Sequence, residues 1–374
     1  MKYEYTHNRF IMCINRFTLC SLLYGRSRPE NLFGRRRNAV KLKTIGAGMF
    51  MKVVSLSVIL MSMTLTGRSQ DPEFSQFYAN PLYLNPAFAG AENFNRAILN
   101  YRNQWPSIDN GFITYNASYD QFIGKLHGGV GVLFNVDDAG DGLLTTTQAS
   151  LMYAYTLQVS YKLFFNFALQ GSYFQRSLNW DMLRFGDQID LLNNLTLPSG
   201  EKPPESTTVR APDFAVGAIF GYKSALHGGI AVHHLTEPNT AFYHSKEDNL
   251  PMKITAHLGG NINLEGGSMN FDPKFFISPN ILYQQQGMFH QVNAGVYVTW
   301  LPVVLGAWYR HNLENPDAFI LLAGIDYRNL KVGYSYDITV SGINTGGAHE
   351  LSITWQFNEK DKLRTIYPLR APGF

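Results

Sequence analysis

Beyond residue 94 the chain alternates apolar and polar side chains with period two. In 330–340, Leu330, Val332, Tyr334, Tyr336, Ile338 and Val340 fall on one side, and Lys331, Gly333, Ser335, Asp337 and Thr339 on the other. The same holds for 350–357, where Leu351, Ile353, Trp355 and Phe357 oppose Glu350, Ser352, Thr354 and Gln356. It holds again for 253–264, where Ile254, Ala256, Leu258, Ile262 and Leu264 oppose Lys253, Thr255, His257, Asn261 and Asn263. Such alternation predicts β-strands with one apolar surface. A soluble antiparallel sandwich shows the same period with its apolar face inward, so period alone does not say which face is inside.

Run length and number favour a membrane. About fourteen runs of roughly ten residues, from 95–105 to 348–357, match the strand length that crosses a bilayer at a tilt. An even count is the habit of bacterial barrels. Tight links at Gly124-Lys125, Ser160, Ser224-Ala225, Leu301-Pro302 and Asn329 alternate with mostly longer ones at 137–145, 177–212, 236–251, 312–317 and 342–347. Short turns on one side and long loops on the other are what outer-membrane barrels show. The predicted fold is therefore all-β: a transmembrane antiparallel β-barrel over 95–357, followed by a periplasmic tail at 358–374. The even count places both termini on the periplasmic side. With this phase the lumen is polar, lined by Arg96, Asn100, Arg102, Gln104, Asn116, Asp120, His257, Asn261, Asn263, Asp337, Glu350 and Gln356. It suits a water-filled pore or a filled, hydrogen-bonded interior equally.

Residues 70–94 break the alternation. Phe74, Gln76, Phe77, Tyr78, Asn80, Pro81, Tyr83, Asn85, Pro86 and Phe88 make an aromatic strip interrupted by proline. Proline cannot donate to a ladder, so this is no central strand, and Asn-Pro pairs start turns. So much apolar surface must be covered. The segment is expected to plug the periplasmic mouth or lumen, or to dock a partner.

Composition sharpens the picture. The 374 residues include Tyr 21, Phe 26 and Gly 33, with only 16% charged, and beyond the N-terminal region no run approaches 18 uninterrupted apolar residues. Met51-Lys52, the apolar stretch Val53–Leu65 and the small residues Gly67 and Ser69 read as a secretory signal peptide at 51–69, cleaved near Ser69/Gln70. As an internal anchor, Val53–Leu65 is too short to span. Residues 1–50 then read as an upstream extension from a misassigned start codon. That extension holds ten Lys/Arg and two Asp/Glu, so the +3 of the whole chain becomes −5 beyond residue 50. The basic balance is thus no sign of nucleic-acid binding. Both cysteines, Cys13 and Cys20, also lie there, leaving no disulfide framework or thiolate metal site beyond it.

Candidate catalytic chemistry is thin. His227, His233, His234, His257 and His349 lie among strands, with His233 phased to the lumen and His234 to lipid. No Gly-x-Ser-x-Gly elbow accompanies them. Asp137-Asp138-Ala-Gly-Asp141-Gly lacks the twelfth-position Glu of a calcium loop and reads as an acidic turn. No zinc spacing, phosphate loop or dinucleotide fingerprint is present, so no cofactor is expected. Three functions remain: a machine component without catalysis, a passive porin, and an outer-membrane lipid hydrolase.

The run from Phe74 to Gly90, followed by Asn100-Tyr-Arg-Asn-Gln-Trp-Pro106, resembles the opening of the PorP/SprF family, membrane proteins of the type IX secretion system of Bacteroidetes. The resemblance continues through Phe185-Gly-Asp-Gln-Ile-Asp190, the run from His233 to Asn239, Ile277-Ser-Pro-Asn280, Tyr334-Ser-Tyr-Asp337 and His349-Glu350. It implies a barrel in the cell outer membrane that supports type IX secretion or gliding motility. It also implies contact with periplasmic components of that machinery or with secreted surface adhesins. Family members exist in several copies per genome with distinct cargo, so the cargo stays open.

Overall fold

The computed structural model describes residues 70–357, apart from 93, 109–110, 191–194, 197, 224, 244–247, 265–273, 314–315 and 341–345. The expected upstream extension, signal peptide and C-terminal tail lie outside the described residues.

The wall opens with β1 (Asn95–Gln104), β2 (Phe112–Ile123), β3 (Gly128–Ala139), β4 (Leu144–Gln158) and β5 (Leu163–Leu178). A loop carrying the small hairpin β6 (Ile189–Asp190) and β7 (Leu195–Thr196) precedes β8 (Thr208–Tyr222) and β9 (Leu226–His233). Then come β10 (Lys253–Gly260), β11 (Ile262–Asn263), β12 (Phe275–Gln286), β13 (Phe289–Trp300) and β14 (Val303–Asn312). The wall ends with β15 (Pro316–Tyr327), β16 (Leu330–Thr339) and β17 (Ala348–Phe357). β11 continues β10 along the same edge of β12, so fourteen antiparallel strands form the ring. Pairing of β1 with β17 and of β10 with β12 leaves no free edge, as a strand structure in lipid requires. All fourteen expected strands are present.

The apolar face points outward. Leu99, Leu151, Leu169 and Trp355 are each more than half exposed, while their neighbours Ile98, Asn100, Ser150, Met152, Ala168, Gln170 and Thr354 are buried inside. The short links 124–127, 159–162, 223–225, 301–302 and 328–329 fall at one end, and the longest, 179–207 and 234–252, fall at the other together with the short 140–143, 287–288 and 313–315, the last shorter than expected. By the rule for outer-membrane barrels the first of these is the periplasmic end.

Some expectations need correction. The stretch 137–145 is not a long loop: β3 and β4 run on to Ala139 and Leu144, leaving only 140–143 between them. One link at the short-turn end, 264–274, is long. Asn263 is exposed and lines no lumen. The lumen is not uniformly polar either, because Leu133, Met152, Phe164, Ile219, Trp308 and Ile320 are buried facing it.

What fills the lumen is the chain's own segment 70–94. It folds as a 3-10 turn (Phe77–Ala79), a single α-turn (Pro81–Leu84) and a second 3-10 turn (Pro86–Phe88). Pro81 and Pro86 open the last two, where a missing N–H costs nothing. Asp71 lies beside Gln286, His234 and Lys253, all at the long-loop end. Gly90 lies beside Asp120, toward the short-turn end. The segment therefore runs the length of the lumen before β1 begins. Asn95 and Phe357 do share the short-turn end, as the even count requires, but the first described residue lies at the opposite one.

Candidate functional site: the threaded lumen

Nearly all of 74–91 is buried, with Tyr83 only half so. Its backbone has no ladder, yet buried N–H and C=O groups need partners. Side chains of the wall supply them. Asn100 donates to the Ala79 carbonyl (3.3 Å), Thr255 to Leu84 (3.1 Å) and Asn166 to Ala87 (3.1 Å). The Asn85 amide donates to the carbonyls of Ala218 (3.2 Å) and Ile230 (3.1 Å), and its oxygen accepts from the Ala87 N–H (2.9 Å). A Cβ at Gly217 would collide with that oxygen. These inward positions are polar because they serve as the second half of the segment's hydrogen bonds.

Three layers hold the segment. At mid-height its aromatics meet the wall: Phe77 against Trp308 (5.1 Å between ring centres), Tyr78 edge-on to His227 (5.6 Å) and His257 (5.9 Å), and Phe88 stacked on His257 (5.3 Å). Toward the long-loop end sits a buried charge cluster of Arg102, Arg310, Asp337 and Glu350. Ser75 is its hub. The Ser75 hydroxyl donates to Asp337 (2.6 Å) and accepts from Arg102 (2.7 Å) and Arg310 (2.8 Å), while its N–H donates to Glu350 (2.7 Å). Gln76 donates from its backbone to Glu350 (3.2 Å) and accepts from Ser352 (2.6 Å). Arg102 bridges both carboxylates (3.0 and 3.1 Å) and Arg310 reaches Asp337 (3.1 Å). Two cations and two carboxylates balance, which a buried cluster needs.

The third layer is at the short-turn end. Arg96 pairs with Asp120 (2.9 Å) and Glu92 (2.7 Å), and Asp120 accepts the Gly90 N–H (2.8 Å). Gly90 has a left-handed φ of 61°, and a Cβ there would lie 2.6 Å from the Cα of Gly129. Only glycine allows both that backbone and that approach.

The two Asn residues differ: Asn85 is fully engaged, whereas Asn80 is buried before Pro81 and makes no side-chain cap. Phe74 packs edge-on to Tyr83 (5.0 Å), whose hydroxyl donates to the Pro72 carbonyl (2.6 Å).

His234 departs from the expected phase. β9 ends at His233, and His234 takes a left-handed φ of 57°, which turns its ring inward, away from lipid. Its two ring nitrogens lie 2.8 Å from Asp213 and 2.8 Å from Asp71. Burial works against its charge, but Asp71 and Asp213 outweigh burial and hold the imidazolium up to about 10. Burial likewise opposes ionisation of Asp71, yet His234 and Lys253 keep it below the usual carboxylate range. This pair latches the start of the segment. Arg310 escaped notice although its alternation with Trp308 points it inward. Ser75 and Asp71 carry no local signal at all.

Among the described residues no group of three or more His, Cys, Asp or Glu is arranged to hold a metal, and no helix is long and apolar enough to cross a membrane.

The sequence model described as "Type IX secretion system membrane protein PorP/SprF" matches residues 66–355. Among curated proteins none matches. Solved structures similar to this chain include the Acinetobacter baumannii outer membrane protein Omp33, at 10% identity and TM-score 0.40 over 72% of this chain and 100% of that one. A TodX mutant, a monoaromatic hydrocarbon channel, is similar at 10% identity and TM-score 0.40 over 77% and 94%. The KdgM porin is similar at 6% identity and TM-score 0.32 over 70% and 99%.

Proposed function

Because the chain belongs to the PorP/SprF family of type IX secretion system membrane proteins, we propose that it is a plugged, non-enzymatic outer-membrane component of that machinery. In this reading it supports secretion or surface anchoring of adhesins, or gliding, and contacts periplasmic components. The observation that carries the reading is the lumen. It is occupied along its length by the chain's own residues 71–91 and locked by Ser75 within four buried charges. A passive porin needs an open water path, and this filling speaks for a scaffold. Hydrolysis of lipid would call for a Ser–His pair at the wall. The outward His290 and His349 instead lie 2.9 and 2.7 Å from the hydroxyls of Tyr283 and Tyr334.

The test is a pulldown from detergent-solubilised outer membrane, paired with an assay for surface adhesins in a strain lacking the protein. The reading expects co-purifying secretion components, lost adhesins, and rescue by the wild-type chain. Normal adhesin display without the protein would overturn it.

A further inference from the structure

The two rims of the barrel differ chemically. At the short-turn end, aromatic side chains ring the outer wall: Trp300, Trp355, Tyr161, Tyr222 and Tyr327 are all well exposed. Such belts sit where hydrocarbon meets headgroups. Three of these tyrosines are each followed by a cation lying over the ring: Lys162 over Tyr161 (4.8 Å), Lys223 over Tyr222 (5.4 Å) and Arg328 over Tyr327 (5.2 Å). Lys125 occupies a fourth turn, where the Tyr153 hydroxyl donates to the Leu126 carbonyl (2.7 Å).

Backbone conformation adds to the pattern. Lys223 and Arg328 have left-handed φ values of 53° and 57°, in turns where Gly, Asn or Asp would be easier. Among the described residues, acidic groups near this rim are engaged: Asp326 with Lys331 (3.2 Å) and Glu92 with Arg96 (2.7 Å). Toward the opposite rim, outward tyrosines are partnered by histidine: Tyr283 with His290, and Tyr334, at mid-strand, with His349. The loops there expose Asp141, Asp181, Asp187 and Asp248.

We propose that the short-turn rim binds anionic phospholipid: Lys125, Lys162, Lys223 and Arg328, each beside an interfacial tyrosine, take headgroup phosphates in the periplasmic leaflet. Depth supports this, since Lys162, Lys223 and Arg328 each directly follow a belt tyrosine and a residue advances about 3.3 Å along a strand. The four turns are β2–β3, β4–β5 and β8–β9, which follow one another around the ring, and β15–β16, on the other side of β1. Three of the cations lie against rings that face lipid, away from the barrel axis.

Native mass spectrometry of the purified barrel, exchanged into detergent with phosphatidylglycerol or phosphatidylcholine, tests this. Wild type should retain phosphatidylglycerol in preference. Changing the four cations to glutamine (Lys125→Gln, Lys162→Gln, Lys223→Gln, Arg328→Gln) should weaken that preference by about fivefold per cation, on the order of several hundredfold together. The pair Lys202→Gln and Arg210→Gln, at the other end, should leave it unchanged. Heat-modified gel mobility checks folding. If the fourfold variant does not fold, Lys223→Gln with Arg328→Gln alone should still lose about twenty-fivefold. No preference in wild type, preference kept in the rim variants, or equal loss in the long-loop variant overturns the proposal. So does a rim variant that keeps its lipid but loses a co-purifying periplasmic chain, which would assign the cations to a protein.

Discussion

In the wall, each strand gives its N–H and C=O groups to the strands beside it, and side chains only decide which face meets lipid. In the threaded segment the same backbone groups go to wall side chains: Asn100, Asn166 and Thr255 to its carbonyls, Glu350 and Asp120 to its N–H groups. The wall is held by a repeating rule and the segment by single appointments. One wall substitution therefore perturbs one position, whereas one substitution at an appointment releases a stretch of chain.

The sharpest break of this contrast is deletion of 74–90. Strands β1–β17 keep every ladder bond, so the variant should insert, yet planar bilayers should record a conducting pore where wild type stays closed. A variant that inserts and stays closed would show that the segment is not what fills the lumen. Next in size is Arg102→Leu, which leaves Glu350 without its cation and strips one of two from Asp337. Losing one partner of a buried pair costs about 3–5 kcal/mol, read as a lower unfolding midpoint and intermittent conductance. In the wall, Tyr334→Arg or Ile353→Arg should cost about 2–4 kcal/mol if near the midplane, without conductance. Thr354→Ser on the inner face should be mild. Equal tolerance on both faces would contradict the barrel's phase.

The smallest effect is on pH. His234 is raised from its ordinary value of 6.5 to about 10, so its contribution is full below pH 6.5 and is lost as pH rises through about 10. Asp71 is lowered, so its contribution is present above 3.8 and is lost on acidification below that. The latch should hold best between about pH 4 and 6.5. Proteolysis at the start of the segment, followed across pH, should rise on the alkaline side, and His234→Gln should flatten that limb.

All fourteen wall strands were legible because lipid on one side and a crowded lumen on the other impose period two. The polar inner positions Arg96, Arg102, Asp120, His257, Asp337 and Glu350 followed from the same phase, and all six are buried. Trp308, Ile320 and Leu133 were harder to assign, because apolar residues stand on both faces at mid-height and alternation fades. His234 was misplaced because a left-handed residue at a strand end resets the phase. Ser75 was invisible for another reason: its partners Asp337 and Glu350 are 262 and 275 residues away, and no local pattern records such a meeting. The aromatic strip announced that it needed cover, but not the direction in which it would run.

That direction changes the parity of the molecule. Between Gln70 and Phe357, fourteen strands and one threaded pass make fifteen crossings of the membrane plane, an odd number, so these two described residues face different compartments. A tag joined at Gln70 should be reached by antibody on intact cells. Traction on it from outside would bear first on the Asp71–His234 latch and then on the charges around Ser75. Residues 70–91 thus form a cord between the long-loop end of the barrel and its first strand, and a load applied at Gln70 would pass through those contacts before it reached the wall.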